Sequence, residues 1–334
     1  MNCSVNWFRY RLPNSSDVVC GGSLNLINDF GDGFVIAPFR NPKDGFMTIP
    51  FDLIPCGEAL IPSEICLPES TSKYEHDLEV RSIIRALADK NGKIVAARTL
   101  RLKCCIDLES TFESLCNSYK DAFVFMFYTP ATGVWFGASP ELLLRKSEGG
   151  YKTMALAGTR PVGIEATWDL KNREEQSMVT SFISSVLSKY FEIVDVGKNF
   201  TKVAGCVEHI CTEIYATSPS PASVYPSKNF IREVLCDLSP TPALCGSDRP
   251  FAFGFIDKFE KFDRELYGGF CGPNNINGVS AFFVNLRSAK CSDTEVALFA
   301  GGGITSLSDP GQEWEETEYK LKTIITKIKK KNET

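Results

Sequence analysis

The sequence predicts an α+β protein, a large and mainly antiparallel sandwich of strands flanked by helices. Three observations predict it. Strand-like runs outnumber helical ones, among them VVCGGSLNLI, FVIAPF, KIVAARTLRLKCCI, AFVFMFY and EVALFAGGGI. Few helices separate successive strands, whereas a doubly wound parallel sheet needs a crossover after each one. Finally, 43% hydrophobic and 23% charged residues over 334 positions fit a globular chain of roughly two units or one large body. No repeat, low-complexity tract or Pro/Ser-rich linker divides it.

Taken in order, the first 70 residues are strand pieces broken by Gly, Asp and Pro turns. Helical spacing begins near Ser72, where Leu78, Val80, Ile83, Ile84 and Leu87 fall at steps of three and four, and Asn91-Gly92 ends it. KIVAARTLRLKCCI is a strand, residues 110–119 a short helix, and AFVFMFY, GVWFGASP and ELLLRKS are strands. Residues 167–190 make the best amphipathic helix, with Met178, Val179, Phe182, Ile183, Val186 and Leu187 on one stripe. The last third alternates the strand signals FAFGFIDKFE, AFFVNLRS and EVALFAGGGI with turns at 272–278 and 288–293. A helix over 314–330 closes the chain, with Leu321, Ile324, Ile325 and Ile328 inward.

Composition excludes several functions. A net charge of -5 leaves no basic excess for nucleic acid or an anionic membrane. No apolar run approaches the roughly 18 residues of a spanning helix, and the first residues lack the basic-then-apolar pattern of a signal peptide. Thirteen cysteines without C-x-x-C, and only His76 and His209 beside them, argue against zinc. They suit small buried hydrophobes in a reducing cytosol, so a cytoplasmic protein is expected.

The carboxylates Glu313 and Glu316, with Lys320, share one face of the closing helix, and that face continues to Ile324. Acids clustered toward the body need a cation or a proton, and an oxygen-only set in small number suits Mg²⁺. Glu175, three and four residues before Met178 and Val179, lies at a core edge and is the natural second ligand. A solvated helix start is the plainer alternative. The run AGGG at 300–303 lets an anion approach the backbone, though alone it also suits a tight turn. Arg287, at the end of AFFVNLRS, can fork onto a carboxylate. His209 is nearly the only imidazole to hand. Lys93, entering a buried strand, suits a base, and Glu141 after Pro140 suits an acid with a raised pKa. Each of these has a plain structural alternative.

In order along the chain, KIVAAR, FGASPELLLR, LAGTRPVG, KNREEQSMV, VEHICT, LSPTPALCG, FDRELYGG, NLRSA, FAGGGI and SDPGQEWEETEYK resemble the chorismate-utilising enzymes. That family includes isochorismate synthases, salicylate synthases and the large chains of anthranilate and aminodeoxychorismate synthases. The resemblance spans about residues 70 to 330. It implies an anthranilate synthase component I-like fold, a two-sheet sandwich with a catalytic domain at 71–330 and a shorter, divergent part of the same fold at 1–70. Lys93 resembles the lysine of the water-using members, where ammonia-using members carry glutamine. Ala157 is unlike the nucleophilic lysine of aminodeoxychorismate synthases, and LSPTPALCG is similar to the LHPTPA-x-x-G form of isochorismate synthases.

By that resemblance, Lys93 activates water to attack C2 of chorismate and Glu141 protonates the departing C4 hydroxyl, giving isochorismate for menaquinone or siderophore synthesis. Glu175 and Glu316 would hold Mg²⁺, and Glu313 would steady a metal-bound water. Tyr267, Arg287 and Gly303 would bind the enolpyruvyl carboxylate, while Gly158, Thr159, His209, Ala243, Gly301 and Lys320 line the pocket. The expected partner is chorismate alone, with no glutaminase subunit, and the expected state a monomer. KNREEQ departs from the family's K-D-R-x-E-H at Asn172 and Gln176, and Ser239 stands where histidine is usual; the first departure is expected to weaken metal affinity. A salicylate synthase and a non-catalytic chorismate-binding protein are the competing expectations. An ammonia-using synthase, and a nucleotide-binding regulator built on AGGG, fit less well.

Overall fold

In the computed structural model, which describes residues 5–52, 65–147, 149–217 and 229–331, β1 (Asn6–Arg11), β2 (Val18–Ser23), β3 (Gly33–Ala37) and β4 (Met47–Ile49) precede α1 (Lys73–Ala86). Next come β5 (Ile94–Lys103), α2 (Leu108–Ser118), β6 (Phe123–Thr129), β7 (Gly133–Ser139), β8 (Leu142–Ser147) and β9 (Gly150–Pro161). The following part holds α3 (Leu170–Leu187), β10 (Ile193–Val196), β11 (Phe200–Ala204), β12 (Val207–Thr217), α4 (Phe230–Leu238) and α5 (Arg249–Phe259). The chain ends through β13 (Phe270–Asn274), β14 (Ala281–Val284), β15 (Ser288–Cys291), β16 (Glu295–Ile304) and α6 (Pro310–Ile325).

The strands form two antiparallel sheets. One has seven strands in the order β2-β1-β6-β7-β15-β16-β5; the other has nine, β10-β12-β9-β8-β14-β13-β3-β4, with β11 also on β12. The expected mainly antiparallel two-sheet sandwich is thus observed. Strands from the first 52 residues enter both sheets, β1 and β2 one, β3 and β4 the other.

Period-two side-chain alternation decides what lies where. In β6, Phe123, Phe125 and Phe127 point between the sheets, and Val124, Met126 and Tyr128 point out beneath α2 and α6. Both faces are covered, so β6 is buried throughout and apolar throughout. Across the sandwich, Phe123 stacks on Phe283 at 4.2 Å. Each such ring contributes about 1.5–3 kcal/mol by burial. The outer face of the nine-stranded sheet is covered by α3 and α4.

Helix starts follow the capping residues. Ser72 and Glu75 form a reciprocal capping box at α1, Asp169 caps α3 by accepting from Asn172 N at 2.8 Å, and Asp309 caps α6 ahead of Pro310. The stripe of α1 differs from expectation: Leu78 is 48% exposed, and His76, Glu79, Val80 and Ile83 face inward. Its helix ends at Ala86, before Asn91-Gly92. On α3, Met178 and Phe182 are only half-buried.

Four other expectations are corrected. FAFGFIDKFE is no strand but most of α5, capped by Asp248 with Pro250 in its first turn; Ala252 and Ile256, four apart, are its buried face. Its alternating phenylalanines sit half-buried on the flanks, which mimics period two. AGGG is neither turn nor loop: Ala300 to Gly303 lie inside β16, paired with Arg98 to Val95 of β5. Residues 288–291 are β15 rather than a turn, and of 272–278 only the part after Asn274 turns, so Arg287 stands between strands at φ 49°. The closing helix begins at Pro310 and ends at Ile325, leaving Ile328 beyond it.

Candidate active site

A cleft of about 560 Å³ opens where strand ends of both sheets meet α3 and α6. Each wall has a local cause. Lys93 precedes β5 and is clamped there by Ser247, whose Oγ accepts from Lys93 N at 3.1 Å and whose N–H donates to Lys93 O at 3.0 Å. Its side chain, in a residue 1% exposed, donates from Nζ to Glu175 Oε1 at 2.7 Å. Glu175 belongs to the buried stripe of α3, which runs from Asn172 to Leu187.

Glu313 lies on the buried stripe of α6 with Thr317, Leu321 and Ile324. Lys171 Nζ donates to Glu313 Oε1 at 2.5 Å; Lys320 Nζ donates to Glu316 Oε1 at 2.6 Å and to Gly301 O at 2.7 Å. The absent side chains of β16 make this approach possible. A Cβ on Gly302 would sit 3.1 Å from Glu313 Oε2, and one on Gly303 only 2.2 Å from Glu175 Oε1. Three carboxylates and three lysines therefore interlock over a bare strand.

Burial, with the neighbouring Glu316 adding to it, pushes the Glu313 pKa up to about 6, and Glu313 Oε2 is buried without a hydrogen-bond partner among the described residues. For Glu316, burial also pushes upward, but Lys320 and Lys171 outweigh it and its pKa is lowered. A buried acid short of positive charge suits a hard divalent cation, so the donor set fits Mg²⁺ in chemistry. It is not gathered for one: each acid is turned onto its own lysine, and among the described residues no three acids, histidines or cysteines form a ligand group.

Glu141, 3% exposed just before β8, faces the cleft. Burial raises its pKa to about 8 against the opposing pull of Lys93 and Lys320, so it carries a proton at neutral pH. Opposite lies Arg287, whose Nη1 donates to Thr323 Oγ1 at 3.0 Å and whose Nη2 faces His209 Nε2 at 3.1 Å. His209 Nδ1 lies 2.9 Å from Gly158 O. Burial first, then Arg287 and Lys320, hold the His209 pKa well below its ordinary value. A neutral ring is thus assigned, donating from Nδ1 to Gly158 and accepting at Nε2 from Arg287. Burial lowers Arg287 to about 10 and raises Tyr267 to about 12. Tyr267 stacks on Phe299 at 5.4 Å, and its hydroxyl would be 3.2 Å from a Cβ on Gly301.

The cleft is lined by ten of the residues singled out in the sequence: Glu141, Thr159, Glu175, His209, Ala243, Tyr267, Arg287, Gly301, Gly303 and Lys320. Lys93 stands behind Glu175. Glu313 and Glu316 line an adjoining cleft of about 740 Å³ with Lys171 and Asn172. Gly158 contributes its carbonyl to His209. Asn172 bridges the α3 cap, accepting from Thr159 N at 2.8 Å while donating to Asp169 at 3.0 Å. Gln176 points to Thr180 and Thr212, at 2.8 and 2.5 Å. Lys171 was missed, although its four-residue step to Glu175 on one helix face could have found it. Thr323, which holds Arg287, carries no signal of its own.

Such a fold and cleft define a class: an enzyme whose buried acid, arginine and lysine-paired carboxylates gather in one cleft at the strand ends of two sheets. The chain belongs to the chorismate-binding enzymes, since the family model described as "Chorismate binding enzyme" matches residues 59–329. Isochorismate synthase EntC of Escherichia coli (strain K12) is 33% identical over 272 residues, which is 78% of this chain and 67% of that one. Isochorismate synthase MenF of the same strain is 31% identical over 250 residues, covering 70% of this chain and 56% of its own length. Among solved structures, a putative 2,3-dihydroxybenzoate-specific isochorismate synthase, DhbC from Bacillus anthracis, superposes with a TM-score of 0.79 at 22% identity, over 98% of this chain and 97% of that one. Anthranilate synthase component I from Streptococcus pneumoniae gives a TM-score of 0.68 at 15% identity, over 96% and 91%. At these identities the superpositions establish the fold.

Proposed function

We propose that the protein is an Mg²⁺-dependent isochorismate synthase, converting chorismate to isochorismate by water attack at C2 and loss of the C4 hydroxyl. The observation that carries this reading is the pairing of two functions at one cleft: Glu141, held as a neutral acid in its lining, and Lys93, buried just behind Glu175. Relatives named isochorismate synthase support it.

Glu141 gives its proton to the departing hydroxyl oxygen, which leaves as water. Lys93 takes a proton from the incoming water as the free amine, after handing its own ammonium proton to Glu175 across their 2.7 Å hydrogen bond. Arg287, kept in place by Thr323 and His209, and the Tyr267 hydroxyl receive the enolpyruvyl carboxylate beside the Gly303 backbone. The remaining pocket residues, Gly158, Thr159, Ala243, Gly301 and Lys320, shape the space around the ring. Glu175 and Glu316 are the residues that would hold Mg²⁺, with Glu313 beside them, and the ion would supply positive charge against the ring carboxylate. The same proposal has a monomer in the cytoplasm, needing no glutaminase subunit, whose product feeds menaquinone or siderophore synthesis.

The test is chromatographic. Purified protein, chorismate and Mg²⁺ at neutral pH should give isochorismate, and EDTA should stop it. Salicylate with pyruvate would identify a salicylate synthase instead. Binding without turnover would leave a chorismate-binding protein.

A further inference from the structure

A third cleft, also of about 560 Å³, lies elsewhere, between the start of α1, the middle of β5 and the end of α5. Four glutamates line it, and three are already answered. Glu69 accepts from Arg101 at 2.5 Å, and Glu75 from Lys261 at 2.6 Å and Ser72 N at 2.9 Å. Glu260 is held by Arg264 and by Ala97 N at 3.0 Å. Glu79 is different. It is 3% exposed, and its Oε1 is buried with no hydrogen-bond partner among the described residues. Burial, then the carboxylate of Glu260, hold its pKa well above the ordinary carboxyl range.

We propose that this cleft binds a primary ammonium carried on a compact apolar body, with Glu79 receiving the ammonium and Phe259 and Phe262 flanking the body. The chemistry of the walls selects that class. An anion would meet four glutamates and a single lining cation, Lys261, already engaged by Glu75. A bare metal ion would find only Glu79 uncommitted, and among the described residues no ligand group of three exists. An alkylammonium supplies the donor that Glu79 lacks, and its hydrocarbon covers two half-buried rings.

The test is calorimetric titration of the whole chain at neutral pH with 2-phenylethylamine, and with 2-phenylethanol as the uncharged analogue of similar shape. The amine should bind saturably at one site, and the alcohol about tenfold more weakly or worse. Glu79→Gln, nearly isosteric, should weaken amine binding by about tenfold with chorismate binding unchanged, and Phe262→Leu should weaken both ligands. Equal affinity for amine and alcohol, or no saturable amine binding, would overturn the assignment without any variant. So would an unaltered affinity in a folded Glu79→Gln protein. Because the test involves no turnover of chorismate, failure here leaves the proposed activity standing.

Discussion

Replacing Gly303 by alanine tests whether the bare strand beneath the carboxylates is essential. Gly303 is not among the glycines at positive φ, so alanine suits its backbone and only space is at issue. The new methyl would lie 2.2 Å from Glu175 Oε1 and 2.8 Å from both Glu175 Cδ and Lys93 Nζ. Ordinary contact needs about 3.5 Å, so Glu175 must retreat by about 1 Å. Its partner cannot follow, because Lys93 is clamped by Ser247 and its side chain is fully enclosed. Opening a buried ion pair of this kind costs about 3–5 kcal/mol, and a misplacement of about 1 Å alone lowers turnover by about 10²-fold. Gly302→Ala is the control: its methyl would meet Glu313 Oε2 at 3.1 Å and Glu316 Oε1 at 3.4 Å, side-chain ends that need give only tenths of an ångström. Steady-state turnover and thermal melts on both variants decide. Gly303→Ala should lose about 10²-fold in kcat and melt several degrees lower, with Gly302→Ala within about tenfold of wild type. Equal behaviour of the two variants, or a Gly303→Ala protein within about threefold of wild type, would refute the steric argument.

Lys93→Met should abolish isochorismate formation and destabilise the fold by about 3–5 kcal/mol, because Glu175 stays buried alone; adding Glu175→Leu should return stability but no turnover, as denaturant titration and product assay would show. For Glu141 the folded pKa of about 8 stands above the ordinary 4.5, so its stabilising contribution is complete at low pH and is lost as pH rises toward 8. Glu141→Gln should therefore gain in melting temperature relative to wild type between pH 5 and 8, while losing about 10²–10⁴-fold in turnover; wild-type turnover should itself fall above about pH 8. Mg²⁺ should raise the wild-type melting temperature and leave that of Glu316→Gln unchanged, a readout independent of activity. Arg287→Lys, which cannot reach both Thr323 and His209, should raise KM for chorismate by about tenfold or more with a smaller change in kcat; the opposite split would deny Arg287 its carboxylate.

Legibility in the sequence followed the strength of local periodicity. Continuous apolar runs such as AFVFMFY became strands because both faces are covered, and α3 was visible because Val179, Ile183, Val186 and Leu187 repeat at helical spacing. FAFGFIDKFE misled because its buried pair is two small apolar residues, Ala252 and Ile256, while larger aromatics lie on the flanks. AGGG misled for a different reason. Its glycines serve close approach within a flat strand, which local sequence cannot distinguish from a turn. The resemblance placed ten residues on the cleft, yet the charge pairing was hidden. Two of the three pairs depend on tertiary packing, since Lys93 and Glu175 stand 82 residues apart and Lys171 and Glu313 stand 142 apart, whereas Glu316 and Lys320 are one turn apart on α6.

That pairing has a consequence for how the pocket is loaded. With Glu141 protonated, Lys93, Lys171, Lys320 and Arg287 face three carboxylates, a balance of one positive charge. A dicarboxylate arriving alone would tip the cleft negative, and a divalent ion arriving alone would crowd the lysines. Together the two guests are electrically neutral and leave the total unchanged. Each should therefore raise the pocket's affinity for the other by the same factor, as thermodynamic reciprocity demands. Each guest should bind more weakly alone than beside the other.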